Sequence, residues 1–358
     1  MALHLSERGA GEVVVLERTG IGAGASGVQP GGVRQQWGTR VNCLLARESV
    51  GFYGELVERL EARVDPHFRA CGYVFLAHSE PALAQLGANV ELQNGLGIPS
   101  RVLSPIEAAE RVEGLVADSL TGAAVCEEDG YFDRPQAVVE AFAEAARRSG
   151  VRVERRGVRS LARDGAAWSI DGTLLAGQVV VAAGYDTPAL LGPLGVDLPI
   201  RREARFLFLG EPVPERLLEP LVVSPERRFA AKQLADGRLL ASDLGASGDP
   251  ATERERWRAR IKELITDLLP PLEFVPLPRL VEGLYDVTPD HQAAIGPVAG
   301  HEGLFVAAGF SGHGFMIAPA VGRGVAAMVL GEEPGEPFAA LGPERFATGA
   351  LVPEPQIV

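Results

Sequence analysis

The stretch from Val13 to Gly27, VVVLERTGIGAGASG, decides the fold, because an apolar run is followed by glycines in the pattern G-x-G-x-x-G. In a dinucleotide-binding fold, such glycines lie in the turn between a strand and a helix, and the helix N-terminus faces the pyrophosphate. Here the next residues, VQPGGVRQQWG, contain Pro30, Gly31 and Gly32, so no helix is expected to begin there with free amides. We therefore do not interpret GAGASG as the phosphate-binding loop.

Glu17 is the more informative residue of this stretch. It ends the apolar run Val13 to Leu16, where the second strand of a Rossmann unit carries the carboxylate that binds the ribose. A phosphate loop about 20 residues earlier would then precede Met1. Ala2 to Gly9 has the pattern of the last two turns of an amphipathic helix closed by a glycine. The sequence therefore predicts a Rossmann-type unit that lacks its first strand and phosphate loop; a short native helix before an unrelated strand is the alternative.

The composition is that of a loop-rich globular protein with an acidic surface. The chain has 358 residues, including 43 glycines and 26 prolines, and a formal net charge of −13. The absence of a basic tract argues against nucleic acid or an anionic membrane as a partner. Cys43, Cys71 and Cys126 are few and widely spaced, and no apolar run is long enough for a membrane span. We expect a cytoplasmic protein with no disulfide framework and no metal site.

Helical and strand patterns alternate in the first 200 residues. Helical spacing covers residues 40–63, and a short strand follows at 73–77. Asp133 is expected to cap a helix that stops at Gly150, before a strand and a β-meander that ends in the apolar strand 178–183. A Rossmann-type domain returns to its central sheet through elements in this order.

The second half of the chain predicts a separate domain and a return to the first one. Residues 200–284 are strand-rich around one charged helix, and a strand at 303–308 is followed by the loop GFSGHGF and a helix beginning at Met316. Residues 336–358 have the composition of surface coil. We expect two discontinuous domains: a nucleotide-binding domain at 1–64, 131–195 and 285–335, and a substrate domain at 65–130 and 196–284.

These segments together resemble a known family. The succession VVVLE, GAGASG, GGVRQQWG, VVVAAG, GLYDVTPDHQAAIGP and GFSGHGFMIAPAVGRGVAAMVL is similar to the FAD-dependent D-amino-acid oxidase superfamily. Within it, the likeness is greatest to sarcosine oxidase β-subunits and dye-linked proline dehydrogenases. A TPD segment followed by GFSGHGF is the most specific part. The resemblance covers nearly the whole chain and implies an α/β fold, with a Rossmann-type FAD-binding domain and an inserted, mostly antiparallel substrate domain.

The resemblance also implies roles for individual residues. Glu17 would bind the adenosine ribose, Arg18 would lie beside the adenine, and Val158 would contact the adenine through its backbone. A solvated strand end is the alternative for Glu17, and a simple turn glycine is the alternative for Gly184. The other expected FAD contacts are Gly24, Ala25, Ser26, Gly27, Ala183, Gly184, Gly309, Gly312, His313, Gly314, Phe315 and Met316.

The loop from Gly309 to Phe315 has a physical argument of its own. Its glycines let backbone amides approach a ligand, and the helix after it points its N-terminus at the same place. Because a reduced flavin carries negative charge, free amides and a helix dipole aimed at it would stabilise that charge. His313 lies near the flavin in this interpretation; a packed structural histidine is the alternative.

Arg34, in the segment GGVRQQWG, is the best candidate for the cation that binds a substrate carboxylate. A surface arginine is the alternative, and Lys232 and Tyr285 are weaker candidates from the substrate domain. Flavin enzymes of this type move hydride from carbon to flavin N5 and leave an imine that water hydrolyses. The resemblance therefore implies an FAD-dependent enzyme that oxidises the C–N bond of an amino acid or secondary amine, of the sarcosine, proline or D-amino acid type.

Two departures from the family pattern bear on the mechanism. Gly283 and Leu284 stand where covalent sarcosine oxidases carry the cysteine that binds flavin, so FAD is expected to be non-covalent. Met316 replaces the lysine that oxidases tend to carry after GFSGHGF, which favours a dehydrogenase that passes electrons to another carrier, such as a partner subunit. A peroxide-forming oxidase and an apo or non-catalytic subunit remain the alternatives.

Overall fold

The computed structural model describes residues 1–356. The helices are α1 (Ala2–Glu7), α2 (Ala25–Val28), α3 (Arg40–Gly54), α4 (Leu56–Arg59), α5 (Glu80–Gly95), α6 (Pro105–Arg111), α7 (Pro135–Arg148), α8 (Thr187–Leu191), α9 (Pro250–Leu268), α10 (Gly314–Val329) and α11 (Arg345–Thr348). Short 3-10 helices lie at Gly184–Asp186, Gly192–Leu194, Pro270–Leu272 and Glu336–Ala340. None of the helices in the described part of the chain has the length and apolarity needed to cross a bilayer.

The strands of residues 1–356 belong to five sheets. They are β1 (Val14–Glu17), β2 (Gly32–Val33), β3 (Phe68–Arg69), β4 (Tyr73–Ala77), β5 (Ser100–Leu103), β6 (Gly122–Cys126), β7 (Gly130–Phe132), β8 (Arg152–Arg155), β9 (Leu161–Asp164), β10 (Ala167–Ile170), β11 (Leu174–Ala176), β12 (Val179–Val181), β13 (Arg201–Pro212), β14 (Leu221–Ser224), β15 (Phe229–Gln233), β16 (Arg238–Asp243), β17 (Arg279–Val287), β18 (Ala294–Pro297) and β19 (Leu304–Ala308).

Outside the large sheet, the parallel strands of the described chain form two separate ladders and not one continuous sheet. β1 pairs with β8, with Val14 opposite Arg152, and β12 pairs with β19, with Val179 opposite Leu304. β18 extends the second ladder in the antiparallel direction, and β9, β10 and β11 form the expected meander. Apolar runs such as VVVLE suit strands that helices cover. This part of the molecule confirms the predicted α/β fold of Rossmann type.

The large sheet supplies the mostly antiparallel part of the fold. Its strand order is β17-β13-β16-β15-β14-β4-β6-β5, and only β14 and β4 pair in parallel. Helix α9 packs on it through the buried side chains Trp257, Ile261, Leu264 and Leu268, which recur at helical spacing. Trp257 stacks on Phe206 of β13 with ring centroids 4.4 Å apart.

Helix α10 is held to α3 at the turn that faces the candidate site. Pro319 lies inside α10 and has no N–H, so the carbonyl of Phe315 one turn earlier has no helical partner. The hydroxyl of Tyr53 donates to that carbonyl, and the N–H of Ala320 donates to Ser49 Oγ at 3.2 Å. Two side chains of α3 therefore fix the first turns of α10.

Helix boundaries differ from the sequence expectations at four places. The helix predicted at 40–63 ends at Gly54 and resumes at Leu56, and the final helix begins at Gly314, two residues before Met316. One helical turn, α2, forms within the glycine stretch where no helix was expected, but it ends before Pro30. Asp133 does not cap α7. Its carboxylate accepts from the N–H of Ala235 at 2.8 Å instead.

The expectation of surface coil for residues 336–358 is wrong over the described part. Residues 336–348 contain a 3-10 helix and α11, and the buried side chains of this segment include Phe338, Leu341 and Arg345. Arg345 forms a buried ion pair with Asp290, at 2.9 Å. Long-range packing explains the difference, because Phe338 lies against Gly324 of α10. Residues 357 and 358 lie outside the described residues, and the predicted domain boundaries stay a prediction.

Candidate functional site

One cavity of about 620 Å³ lies between the parallel ladders and the large sheet. Its walls come from the end of β1, the glycine stretch around α2, the residues after β12, strands β15 to β17 and the first turn of α10. Every site residue predicted from the sequence lines this cavity except Gly27, Val158 and Gly309.

Glu17 and Arg18 form the charged rim of the cavity. The Glu17 carboxylate accepts from the N–H of Thr19 at 2.8 Å and from that of Gly20 at 3.3 Å, so it also holds the turn after β1. The Arg18 side chain is 66% exposed, and its guanidinium lies 2.9 Å from the Asp186 carboxylate. This end of the cavity is therefore open to solvent.

The glycine stretch forms the wall next to that rim. Gly24 has φ of 72°, a left-handed conformation that glycine adopts at no steric cost, and it precedes the exposed residues Ala25 and Ser26. Gly27 is exposed, but a β-carbon there would overlap the carbonyl oxygen of Gly22. On the opposite wall, Ala183 and Gly184 follow β12.

The glycines of the loop before α10 differ in their relation to the cavity. Gly309 is turned away from it and donates its N–H to the Asp286 carboxylate at 2.7 Å. Gly312 has φ of 88°, and a β-carbon there would overlap the Tyr285 ring, so only glycine allows this close packing. His313 is the N-cap residue of α10, whose first residues, Gly314, Phe315 and Met316, line the cavity. The positive end of this helix dipole therefore faces the cavity.

Val158 does not contact the cavity. It lies in the segment after β8 and packs against the apolar cluster that contains Leu161 and Trp168. The adenine contact predicted for its backbone stays a prediction.

Arg34 is fully buried, which rules out the surface arginine. Its guanidinium lies 3.6 Å from the centre of the Trp37 ring and donates to the carbonyl oxygens of Gln36 and Gln356, the latter at 2.7 Å. Its Nε has no hydrogen-bond partner, and within residues 1–356 no carboxylate lies within 4 Å of it. Burial lowers the Arg34 pKa from its ordinary value, against the opposing effects of Tyr73, Glu354 and Asp129. Among residues 1–356, this buried cation of the cavity has no ion-pair partner.

Lys232 supplies a second buried nitrogen from β15. Its Nζ donates to the carbonyl of Pro30 and lies 4.2 Å from the centre of the Tyr131 ring. Burial lowers the Lys232 pKa to about 7, and the charge of Asp133 opposes that shift. At neutral pH its amine is therefore present in both protonation states.

Tyr285 and His313 complete the inner wall. Burial raises the Tyr285 pKa, while the Arg205 guanidinium, 5.3 Å from the ring centre, lowers it. The His313 ring meets the edge of Trp37 with centroids 4.4 Å apart, and burial holds its pKa well below the usual range. A neutral imidazole is therefore expected at this position.

Three of the buried side-chain nitrogens that lack a hydrogen-bond partner belong to residues of this cavity, and other unpaired buried atoms lie elsewhere in the described chain. Gln29 Nε2, Arg34 Nε and His313 Nε2 are buried without a hydrogen-bond partner in the described chain, and all three residues line the cavity. Because buried polar atoms are nearly always paired, these three nitrogens can serve a ligand that carries polar atoms.

Sequence reasoning missed several residues of the site. Asp286 and Arg205 line the cavity, and the Trp37 ring lies between Arg34 and His313. Asp286 follows Tyr285 in GLYDVTPD, and Trp37 lies close to Arg34 in GGVRQQWG. These two motifs could therefore have indicated both residues. Gln356 had no local signal, because its contact with Arg34 joins residues far apart in the chain.

The model of the family "FAD dependent oxidoreductase" matches residues 1–328. The chain belongs to this family. It is 25% identical to 4-methylaminobutanoate oxidase (formaldehyde-forming) of Paenarthrobacter nicotinovorans, over 97% of this chain but only 44% of that protein. It is 28% identical to glycine oxidase of Geobacillus kaustophilus, over 90% of this chain and 87% of that one. The crystal structure of L-proline dehydrogenase from P. horikoshii superposes with a TM-score of 0.89, 27% identity and coverage of 98% and 95% of the two chains.

The family assigns FAD as the cofactor, and the cavity fits that group. Its unpaired nitrogens, exposed glycine stretch and helix N-terminus suit the acceptor atoms of a phosphate-bearing, carbonyl-rich ligand. Cys43, Cys71 and Cys126 are buried free thiols and none of them lines the cavity, in agreement with non-covalent binding.

Proposed function

We propose that the protein oxidises the C–N bond of an amino acid or secondary amine, with FAD as the electron acceptor. The observation that carries this proposal is Arg34, a buried cation beside the cavity with an unpaired Nε and no carboxylate within 4 Å in the described chain. An uncompensated buried charge is costly, and a substrate carboxylate would neutralise it with charge-assisted hydrogen bonds. The relatives named above act on 4-methylaminobutanoate, glycine and L-proline, each of which joins an amine to a carboxylate.

FAD would extend from the rim to the inner wall. Glu17 would hold the ribose hydroxyls, and the glycine stretch with Ala183 and Gly184 would lie against the phosphates and the ribityl chain. The N-terminus of α10, with His313 and Met316, would face the flavin ring. When bound, FAD supplies the site that takes up hydride at N5.

The side chains of this protein would prepare the amine for that step. Arg34 would hold the carboxylate and so orient the C–H bond, and positioning of this kind is a large part of catalysis. An ammonium group has no lone pair to stabilise the developing imine, so its proton must leave first. Lys232, with a pKa of about 7, can accept that proton at Nζ when it is neutral. Tyr285 would close the inner wall and exclude water.

The electron acceptor divides the proposal into two versions. Met316, on the first turn of α10, stands where oxidases of the family tend to carry a lysine. This residue supports a dehydrogenase that delivers electrons to another carrier or a partner subunit. A peroxide-forming oxidase is the second candidate, because Lys232 brings an amine into the cavity from β15. The three free cysteines support a reducing, cytoplasmic location.

The test is an anaerobic titration of the FAD-loaded protein with glycine, sarcosine, both proline enantiomers and 4-methylaminobutanoate. We expect loss of the oxidised flavin absorbance with at least one of them, and no loss with its matched amide, such as prolinamide for proline. An unchanged spectrum across the whole panel would contradict the proposal. In air, one peroxide per turnover indicates the oxidase, and dye reduction without peroxide indicates the dehydrogenase.

A further inference from the structure

Residues 351–356, called the strap below, cross the loop that carries Arg34. The strap is attached at three places. The N–H groups of Val352 and Glu354 donate to Asp290, at 3.2 and 3.1 Å, and the Gln356 side chain accepts from Asn89 of α5. The carboxylate of Glu354 binds the segment that joins Arg34 to α3.

Glu354 is 2% exposed, and its carboxylate is surrounded by donors. One oxygen accepts from the N–H of Gly38 at 2.8 Å and of Gln356 at 2.9 Å. The other accepts from Thr39 Oγ1 at 2.6 Å and Asn42 Nδ2 at 2.9 Å. These four bonds lie at the N-terminus of α3, where a negative charge is also favoured by the helix dipole.

The strap meets the guanidinium of Arg34 with a carbonyl and not with a carboxylate. Gln356 accepts from Arg34 Nη2 at 2.7 Å, while the negative charge of Glu354 is held by neutral donors two residues away. A guanidinium has five N–H donors, and within residues 1–356 two of those of Arg34 are taken, by the Gln36 and Gln356 carbonyls. The contact therefore fixes the direction of the group without neutralising it.

We propose that the strap positions the Arg34 guanidinium for a ligand carboxylate in the cavity, with Glu354 as the positioning residue. The two carbonyls and the Trp37 face fix the group at the wall of the cavity and leave its other donors for a ligand. Loss of the Glu354 contacts would free residues 38–42 and the Gln356 carbonyl together. This inference rests on the proposed role of Arg34.

The experiment measures binding, with acetate and acetamide as probes that differ in charge but little in shape. Their affinities for the FAD-loaded protein are read from the change in flavin absorbance, and the melting temperature is recorded in parallel. We expect Glu354→Ala to weaken acetate binding about tenfold and acetamide binding less than twofold. Glu354→Gln retains one acceptor oxygen and should weaken acetate binding in the same way but to a smaller extent. This variant keeps the test valid if Glu354→Ala does not fold.

Glu336→Ala is the matched control, because the exposed Glu336 pairs with Arg40 in the first turn of the same helix, away from the strap. It should change neither affinity. Equal weakening of both probes in both Glu354 variants would overturn the proposal and leave only a structural role. If Arg34→Met weakens acetate binding and the Glu354 variants do not, the strap proposal alone is wrong. If Arg34→Met leaves acetate binding unchanged, the proposed carboxylate site is wrong as well.

Discussion

The two ends of the cavity differ in exposure and in how their charges are paired. At the rim, Glu17 and Arg18 reach solvent, and each has a partner in the surrounding turns. At the inner end, Arg34 and Lys232 are buried cationic side chains whose direct contacts are backbone carbonyls and aromatic rings. A paired, exposed group contributes to affinity, whereas an unpaired, buried one is available to a ligand or a proton. Substitutions at the inner end should therefore affect chemistry, and those at the rim should affect cofactor affinity.

The largest effect is expected for Arg34→Met. The variant removes the only proposed contact with the substrate carboxylate, so kcat/KM for the amino acid should fall roughly 100- to 1000-fold. Arg34→Lys keeps a charge but not the planar guanidinium, so its kcat/KM should lie between those of the wild type and Arg34→Met. Arg40→Met, which removes an exposed arginine, is the control. Equal losses for the amino acid and its amide would show that Arg34 does not bind the carboxylate.

Lys232→Met should have the next largest effect, a loss in kcat of roughly 100-fold at neutral pH. The wild-type rate should rise with pH through about 7, because the neutral amine is the base, and this limb should vanish in the variant. The sequence contains one other lysine, Lys262, whose Nζ donates to carbonyls outside the cavity. Lys262→Met is therefore the control. A variant that keeps the limb near pH 7 would exclude Lys232 as its origin.

Lys232→Met should also change the melting temperature in a pH-dependent way. Burial lowers the pKa of Lys232 in the folded state, so below pH 7 folding carries the free-energy cost of burying a charged amine. This cost falls as the pH rises from 7 toward the ordinary pKa of lysine. Lys232→Met should therefore raise the melting temperature more at pH 6 than at pH 9. A gain that is constant across this range would show that the Lys232 amine keeps an ordinary pKa and stays charged in the folded state.

The contrast between the two ends also explains what the sequence could predict. Local patterns such as VVVLE and GFSGHGF predicted the strands and the glycine loop, because turns and strand ends are encoded by adjacent residues. The structure brings Arg34, Lys232 and His313 to one cavity, but their roles stay predictions. The contact of Gln356 with Arg34 could not be predicted, since nothing near either residue in the sequence indicates a partner more than 300 positions away.

At the rim, Glu17→Ala should weaken FAD binding about tenfold, the value of one charge-assisted hydrogen bond. At saturating FAD, kcat should be unchanged, because the residue lies at the opposite end of the cavity from Arg34. Glu12→Ala removes an exposed carboxylate that pairs with Arg152 nearby and serves as the control. A fall in kcat that excess FAD does not restore would contradict the division between the two ends.

Arg18→Ala should have the smallest effect, less than about threefold in FAD affinity. The Arg18 side chain is two-thirds exposed and is paired with Asp186. A contact with the adenine would replace this solvated ion pair, so the net gain in binding free energy is small. Salt screens such interactions, and the small effect should disappear at high ionic strength. Asp186→Ala would sharpen the test, because it frees Arg18 and should not weaken binding. A loss of tenfold or more in Arg18→Ala that persists in high salt would mean that the rim holds the cofactor through a desolvated charge, as the inner end is proposed to hold the substrate.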